Sequence, residues 1–332
     1  MLNKSLRTTV KAPSVIYHYC SLDVFLEIIR KSTLRLTNIK KSNDSEELTF
    51  CIESFARGIK RAYRQFSRET PLKYSILSEY LSLLVDNIHE IAFNAIEDAS
   101  LTYYVSCYSE ESDLLSQWRG YANDGNGVAL GFYTKPLFDL NLRNFDLNFL
   151  PVGYDDELLE KKVFTIITAQ LMEIWENGSS MKNGSHLVLY ENLLMKSINT
   201  MVYNAVLYKN PAFSEEKEWR LIFYPFGNIR NLKRIGVSDT YVNGNYYDRM
   251  SEHFHSKSLM QFEISPISYY VKNNLIVSYM DLNYEKIKHR FLSDIIIGPK
   301  ANIDDLDLRL FLFQQGYDTN KLTIRKSLST YR

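Results

Sequence analysis

Two acidic residues at the start of an apolar run are the leading candidates for chemistry in this sequence. The run reads Glu215-Glu-Lys-Glu-Trp-Arg-Leu-Ile-Phe, and its second half is typical of a strand. Residues two apart in an extended chain share one face, so Glu216, Glu218 and Arg220 would lie together. One carboxylate there can stabilise an oxocarbenium ion while the second activates an acceptor, and the arginine can hold a carboxylate or a phosphate. The alternative is a solvated charged run that leads into a buried strand.

A histidine lies within an aromatic run near the N-terminus. Residues 14–19 read Ser-Val-Ile-Tyr-His-Tyr, which predicts a strand. Side chains alternate along a strand, so His18 faces opposite to Tyr17 and Tyr19. If His18 faces a cleft, its two ring nitrogens can bind ribose hydroxyls or a carboxamide. The alternative is a core histidine that is hydrogen-bonded to the backbone.

A third block, from Ser106 to Ala122, combines small polar residues with aromatic ones. Its second half can form a short helix, on which Trp118 and Tyr121 share a face and would make an aromatic wall. Arg119 points to another side and could meet a phosphate. The alternative is a helix that packs its aromatic residues into the core.

Two further groups of residues are weaker candidates. His253 and His255 have the i, i+2 spacing of a metal pair on a strand, but no evident partner ligand accompanies them, so no metal site is predicted. The stretch Lys60-Arg-Ala-Tyr-Arg-Gln-Phe-Ser-Arg interleaves basic and aromatic residues on a predicted helix. It fits either a nucleic-acid groove or a solvated amphipathic face. The GxGxxG, Walker A, HExxH and GxSxG motifs do not occur.

The elements that must position these residues form a mixed pattern. Strands are predicted at 14–19, 101–109, 128–133, 149–154, 219–224, 260–264, 292–297 and 322–327. Ser21 would cap one helix, and Asp304 would begin another that ends before Gly316. Largely helical stretches interrupt the strands at about 46–100 and 157–208. This order predicts a single α+β domain over residues 1–332, with two helical insertions.

Composition narrows the classes of protein. The chain has 332 residues with 39 Lys+Arg and 39 Asp+Glu, so its formal net charge is zero, which argues against a strongly basic nucleic-acid coat. A hydrophobic fraction of 45% argues against a disordered chain. The three cysteines form no CxxC pair and indicate no disulfide framework. No apolar run approaches the length of a membrane span and the polar start lacks a signal-peptide core, so we expect a cytoplasmic protein.

Taken together, the blocks resemble those of a widespread bacterial family of unknown function. Its members carry Tyr-His-Tyr-Thr/Ser, a polar Asn-Asp…Glu loop, Ser-Cys-Phe-Ser, Trp-x-x-Tyr-Ala, Gly-Val-x-x-Gly-Phe, Glu-x-Glu-Trp-Arg, Ile-x-x-Gly-Pro and a closing Ile-x-x-Ser-x-x-x-Tyr-Arg. The corresponding segments here are 17–21, 43–47, 106–109, 118–122, 127–132, 216–220, 295–299 and 324–332. The resemblance therefore runs from about residue 14 to the end. Cys20, Tyr108 and Ser45 depart from the usual Thr or Ser, Phe and Pro.

The opening His-Tyr strand, its helix and the following Leu-Arg-Leu also resemble the first motif of ADP-ribosyltransferases. The likeness is greatest to toxins that modify DNA bases and to RNA 2′-phosphotransferases. It implies an ADP-ribosyltransferase-like split β-sheet core with NAD as a substrate and no metal. The family order of histidine, aromatic block and glutamate is met by His18, residues 118–121 and Glu218.

This resemblance implies a role for each site residue. His18 would position the nicotinamide ribose, Glu218 would stabilise the oxocarbenium-like transition state, and Glu216 would orient or deprotonate the acceptor. The residues that would bind the cofactor are His18, Tyr19, Trp118, Arg119, Tyr121 and Arg220. Tyr19 or Tyr121 would stack on nicotinamide, and one of the two arginines would hold the pyrophosphate. The acceptor would be nucleic acid or protein, in a toxin or a phage-defence effector.

Two other functions fit the same residues. The aromatic and charged blocks could belong to a non-enzymatic module that binds a nucleotide or a partner. The acidic pairs could instead serve a metal-dependent nuclease. Release of nicotinamide from NAD distinguishes the transferase from both.

Overall fold

A computed structural model describes residues 12–41, 48–69, 82–83, 85–97, 103–141, 147–178, 197–198, 200–224, 257–259 and 261–331. Over these ranges the chain is a mixed α/β structure built on a mostly antiparallel open sheet. The strands are β1 (Val15–Cys20), β2 (Thr33–Asn38), β3 (Tyr104–Ser109), β4 (Val128–Tyr133), β5 (Leu147–Pro151), β6 (Glu218–Phe223), β7 (Lys257–Leu259), β8 (Phe262–Ile264), β9 (Ser268–Lys272), β10 (Leu275–Asn283), β11 (Leu292–Ile297) and β12 (Thr323–Lys326).

Residues 200–205 are helical, and eight other α-helices have defined bounds in the described ranges. They are α1 (Leu22–Lys31), α2 (Ile52–Glu69), α3 (Ile88–Glu97), α4 (Leu115–Tyr121), α5 (Lys135–Asn141), α6 (Asp156–Gly178), α7 (Lys288–Phe291) and α8 (Asp305–Gln314). Short 3-10 helices span Ile39–Lys41, Pro211–Glu216 and Glu285–Ile287. None of the helices that the structure describes combines the length and the apolar character needed to cross a membrane.

The strands form one sheet in the order β12-β11-β4-β1-β3-β2-β10-β8-β7. Strand β6 pairs with both β3 and β5, and β9 pairs with β10. Only the β11–β12 pair is parallel among these described strands.

The sheet divides around β3. One edge of β3 pairs with β6 along its whole length. The other edge is shared, because Tyr17 of β1 pairs with Ser109 at one end and Asn38 of β2 pairs with Tyr104 at the other. Strands β1 and β2 therefore attach to opposite ends of the same edge of β3 and diverge between them.

A side chain fills the gap that this divergence leaves. His18 Nδ1 lies 3.0 Å from the carbonyl oxygen of Cys107, which is in the middle of β3. A neutral imidazole that is protonated at Nδ1 donates a hydrogen bond there. The histidine thus supplies the hydrogen bond that a neighbouring strand would otherwise give.

Helices cover the two faces of the sheet. On one face, residues such as Phe132 of β4 and Phe149 of β5 pack with Phe291 of α7 in a single apolar core. On the other face, Val105 of β3 and Ile222 of β6 pack against α2, α3, α6 and residues 201–208. These helices lie within the two stretches expected to carry insertions. The single-domain organisation remains a prediction.

Local signals explain where several elements begin and end. The Ser21 hydroxyl accepts from Val24 N at the start of α1, and Asp304 caps α8 through Leu306 N. Gly316 follows α8 with φ of 77°, a left-handed conformation that glycine adopts without strain. All three signals were readable from the sequence.

Candidate functional site

Four buried charged side chains meet at the start of β6. Lys209 Nζ lies 2.7 Å from Glu216 Oε2 and 3.5 Å from Glu218 Oε2. Arg220 donates from Nε to Glu218 Oε1 at 2.7 Å and from Nη2 to Oε2 at 3.2 Å. Its Nη1 also donates to the carbonyl oxygen of Val206 at 2.6 Å. We call Lys209, Glu216, Glu218 and Arg220 the buried charge cluster, because every one of these side chains is less than a tenth exposed.

The backbone around residues 209–218 brings these charges together. Lys209 N donates to the Gly153 carbonyl, which ties this segment beside the end of β5. Asn210 then caps the 3-10 helix Pro211–Glu216, and Lys217 leaves it in the left-handed conformation with φ of 42°. Glu216 therefore lies in the turn and not in the strand, yet it reaches the same lysine as Glu218. Glu218 and Arg220 share one face of β6, as their spacing predicts.

The two carboxylates of the cluster have opposite shifts in pKa. Burial raises the pKa of Glu216 above its ordinary value, and Lys209 only partly offsets this effect. Burial acts on Glu218 too, but the charge and hydrogen bonds of Arg220, together with Lys209, lower its pKa to about 2. The difference arises because, of the two carboxylates, Arg220 bonds only to Glu218 while Lys209 is shared by both. Glu218 is therefore the fixed anion, and Glu216 is the group that takes up a proton more readily.

Two tyrosines and a cysteine surround the carboxylates. The Tyr121 hydroxyl donates to Glu216 Oε1 over a long 3.4 Å, and Tyr154 OH accepts from Glu218 N at 3.0 Å. The Cys107 side chain hydrogen-bonds to the Glu218 carboxylate. Tyr121 is 43% exposed and Cys107 is exposed, so the cluster reaches the surface beside these two residues.

His18 approaches the cluster from the neighbouring strand. Burial lowers the pKa of His18, so its ring is neutral at pH 7. The pairing of Tyr17 with Ser109, and of Ser109 with Glu218, places those three side chains on one face. His18 therefore leaves the opposite face, where its ring centroid is 5.7 Å from that of Tyr108. Cys107 connects the two faces, since its carbonyl bonds to His18 and its side chain bonds to Glu218.

The other predicted aromatic residues are mostly interior. Trp118 is fully buried and donates from Nε1 to Asp113 at 2.7 Å. Tyr19 is 5% exposed, packs edge-on to Trp118, and donates its hydroxyl to the Glu111 carbonyl. Trp118 and Tyr121 therefore do not form one exposed wall, and Tyr121 alone of this aromatic block contacts the cluster.

The two candidate arginines, Arg119 and Arg220, lie apart from each other. Arg220 is inside the cluster, with 1% of its side chain exposed. Arg119 lies at the other side of α4, with its guanidinium 5.8 Å from the centre of the Tyr331 ring. The structure thus places Arg220, Glu216, Glu218 and Tyr121 together, His18 on the opposite face of the sheet, and Arg119 apart.

Lys209, which bonds to both carboxylates of the cluster, is not predicted from the sequence. It follows a helical stretch and precedes an Asn-Pro turn, so it has the appearance of a loop residue. Tyr154 is likewise not predicted by any pattern in the sequence. The one available signal is that Lys209 lies close in sequence to the acidic pair and is separated from it by a turn.

Several candidates fall outside the described residues, namely His253, His255 and the polar segment 43–47. Within the described ranges, no group of three or more His, Cys, Asp or Glu side chains is arranged to hold a metal ion.

Comparison with known families finds a match over part of the chain. Residues 117–221 match the model of a family described as a protein of unknown function, DUF2971. The matched segment contains three of the quoted blocks, at 118–122, 127–132 and 216–220, and all four members of the buried charge cluster. His18 and the closing Tyr-Arg block lie outside it. No curated protein and no solved structure matches the chain, and none of these comparisons points to ADP-ribosyltransferases.

Proposed function

We propose that the protein cleaves the nicotinamide–ribose bond of NAD and transfers the ADP-ribosyl group to an acceptor, with the buried charge cluster as its catalytic centre. The observation that carries this proposal is the opposite pKa shift of two carboxylates that share one lysine. A pair of acids separated in this way has one member for charge stabilisation and one for proton transfer.

Glu218 would act on the ribose. When the C1′–N bond breaks, its electron pair leaves with neutral nicotinamide and positive charge develops on the ribosyl group. Glu218, with its pKa of about 2, is ionised throughout the physiological range and would stabilise that charge. Its fixed position, held by Arg220, avoids reorganisation during the reaction.

Glu216 would act on the acceptor. As the acceptor oxygen or nitrogen bonds to C1′, its proton would pass to the Glu216 carboxylate, beside Lys209 Nζ. The exposed Tyr121 ring lies next to Glu216 and offers a surface on which nicotinamide could stack.

The fold supports the proposal at one further point. Strands β1 and β2 diverge beside β3, as an ADP-ribosyltransferase-like split core would require. His18 Nδ1 donates to the Cys107 carbonyl, and its ring lies on the face opposite to Glu218, so His18 would hold β3 in place and would not contact the same ribose. Trp118 and Tyr19 would support this region from the core. Arg119 lies at the other side of α4, so it would not join Arg220 in holding the pyrophosphate.

A binding module without catalysis is the second candidate, and one observation favours it. Both oxygens of Glu218 accept hydrogen bonds from Arg220, an arrangement that holds β6 in place without any ligand. In that case NAD or another nucleotide would bind at Tyr121 without turnover.

The experiment measures what becomes of the nicotinamide and of the ADP-ribosyl group of NAD in the presence of cell lysate. Nicotinamide release and transfer of an adenylate label are measured for wild type, Glu218→Gln, Glu216→Gln, and a control, Glu263→Gln, at an exposed position of β8. We expect a loss on the order of 10²-fold in nicotinamide release for Glu218→Gln. Glu216→Gln should reduce transfer more than release, and the control should match wild type.

Three results would separate the candidates. Saturable NAD binding without nicotinamide release by wild type supports the binding module. Release without transfer keeps the same centre but makes water the acceptor. Activity of a folded Glu218→Gln protein equal to that of wild type would overturn the proposed centre, with circular dichroism as the check on folding.

A further inference from the structure

A line of cations runs along the outer face of α2. Arg57, Arg61, Arg64 and Arg68 are all exposed and recur at the spacing of one helix face. At 1.5 Å per residue the line is about 16 Å long. The helix therefore presents a row of positive charge on a chain whose net charge is zero.

The row lies in a groove and not on a flat surface. A half-open cavity of about 700 Å³ lies along α2 with one residue of α6 at its edge, and its lining residues are Arg57, Lys60, Arg61, Arg64, Gln65, Arg68, Glu69 and Glu160. Five of these side chains are cationic and two are anionic, so the groove is strongly positive. We call it the α2 groove.

Two carboxylates, Glu160 and Asp156, pair with Arg57 at one end of the groove, Asp156 at 3.6 Å. Glu160 of α6 pairs with Arg57 at 2.9 Å and lies 3.9 Å from Arg61. The Arg61 guanidinium also packs over the Phe164 ring at 4.6 Å. Among the ion pairs between described residues, none involves Lys60, Arg64 or Arg68. These three cations are therefore left for an external anion.

We propose that the α2 groove binds the sugar–phosphate backbone of a single-stranded nucleic acid. A repeated row of guanidinium groups matches a repeated anion, and the planar fork of arginine suits phosphate oxygens. The concave shape fits a flexible strand whose bases can stack on guanidinium planes. This inference does not depend on the proposed NAD chemistry.

Salt dependence of binding provides the test. A fluorescein-labelled single-stranded oligonucleotide is titrated with full-length protein at several salt concentrations, with anisotropy as the readout. Three phosphate contacts predict a slope of log K against log salt of about −2, or roughly 20-fold weaker binding between about 50 and 200 mM salt.

Two double variants of equal charge change sharpen the test. Arg64→Glu/Arg68→Glu should weaken binding at least tenfold at low salt and reduce the slope by about one or more. Lys286→Glu/Arg290→Glu, at exposed positions outside the lining of the groove, should keep an affinity within about twofold of wild type. If charge reversal disturbs folding by circular dichroism, Arg64→Gln/Arg68→Gln replaces it.

Four results would overturn the proposal. The first two are no saturable binding by wild type and an equal loss of affinity in both double variants. The other two are displacement of the oligonucleotide by inorganic phosphate or polyglutamate at matching charge concentration, and tighter binding of the duplex than of the single strand. The NAD experiment needs no added nucleic acid for nicotinamide release, so either proposal can fail alone.

Discussion

The buried charge cluster and the α2 groove contain similar ion pairs in opposite surroundings. Arg220 and Glu218 lie 2.7 Å apart with side chains 1% and 8% exposed, whereas Arg57 and Glu160 lie 2.9 Å apart with side chains 47% and 24% exposed. Nearly equal distances therefore correspond to very different energies, because water screens the second pair and not the first.

The difference teaches what each region is able to do. In the cluster, each charge has lost its hydration and depends on its partners, so removing one partner leaves an uncompensated charge. In the groove, each cation remains hydrated and can exchange water or a protein carboxylate for another anion. The cluster is thus suited to hold groups in fixed positions, and the groove is suited to capture a ligand.

Removing Arg220 should give the largest effect on stability. We expect Arg220→Met to lower the free energy of unfolding by about 3–5 kcal/mol, because Glu218 would stay buried without its guanidinium. The matched change Arg57→Met should cost about 0.5 kcal/mol or less. Urea unfolding measures both, and similar costs for the two variants would break the comparison.

Acid should weaken the cluster through Glu218. Its folded pKa of about 2 lies below the ordinary 4.5, so its contribution to stability is present above pH 4.5 and is lost as pH falls toward 2. The full effect is about 3 kcal/mol. Unfolding of wild type and Glu218→Gln at stepped pH should show their difference narrowing over this window. A constant difference would contradict the shift.

Loss of Lys209 should be intermediate and dependent on pH. Lys209→Met leaves Glu218 with Arg220, and Glu216 can become protonated, so we expect a cost of about 2 kcal/mol near neutral pH. The folded pKa of Glu216 is raised, so its protonation favours the fold at low pH, and that contribution is lost as pH rises through the folded pKa. Lys209 lowers the pKa of Glu216 against the effect of burial, so in Lys209→Met this carboxyl stays protonated to higher pH and the cost of the substitution should be smaller in acid than in base. A control is Lys300→Met, which breaks a partly exposed pair with Asp124. A pH-independent cost for Lys209→Met would contradict the assignment of Glu216 as the carboxyl that takes up the proton.

Changes in the groove should have the smallest effect on stability. Arg64→Glu/Arg68→Glu should alter the free energy of unfolding by about 0.5 kcal/mol or less per site, because both side chains are solvated. Urea unfolding at low and high salt checks this. A loss comparable to that of Arg220→Met would show that these arginines support the fold and are not a free surface.

Patterns of neighbouring residues predict part of the fold and part of the candidate site. The strand character of residues 218–223 and the i, i+2 spacing of Glu218 and Arg220 lie in contiguous sequence, and so do the Ser21 cap and Gly316. Most strands and the mixed α/β class follow from such signals. The β9–β10 hairpin is not among the predicted strands, although Asn273 and Asn274, both with positive φ, form its turn.

Contacts between distant segments were not predictable. Lys209 reaches the carboxylates because its backbone bonds to Gly153, and His18 reaches Cys107 only through the register of β1 and β3. The helical spacing of Trp118 and Tyr121 was correct, but which ring is buried depends on Asp113 and Tyr19. Such outcomes depend on tertiary packing, which short-range patterns do not contain.

The imidazole that fills the gap beside β3 has a consequence for how the sheet opens. One wing, β12-β11-β4-β1, is tied to β3 near Ser109, and the other, β2-β10-β8-β7, is tied near Tyr104. Each wing has its own backbone ladder to β3, and the hydrogen bond between His18 of β1 and Cys107 of β3 adds a side-chain tie to the first wing. Native-state amide hydrogen exchange should therefore divide the sheet into two cooperative units that meet at this histidine.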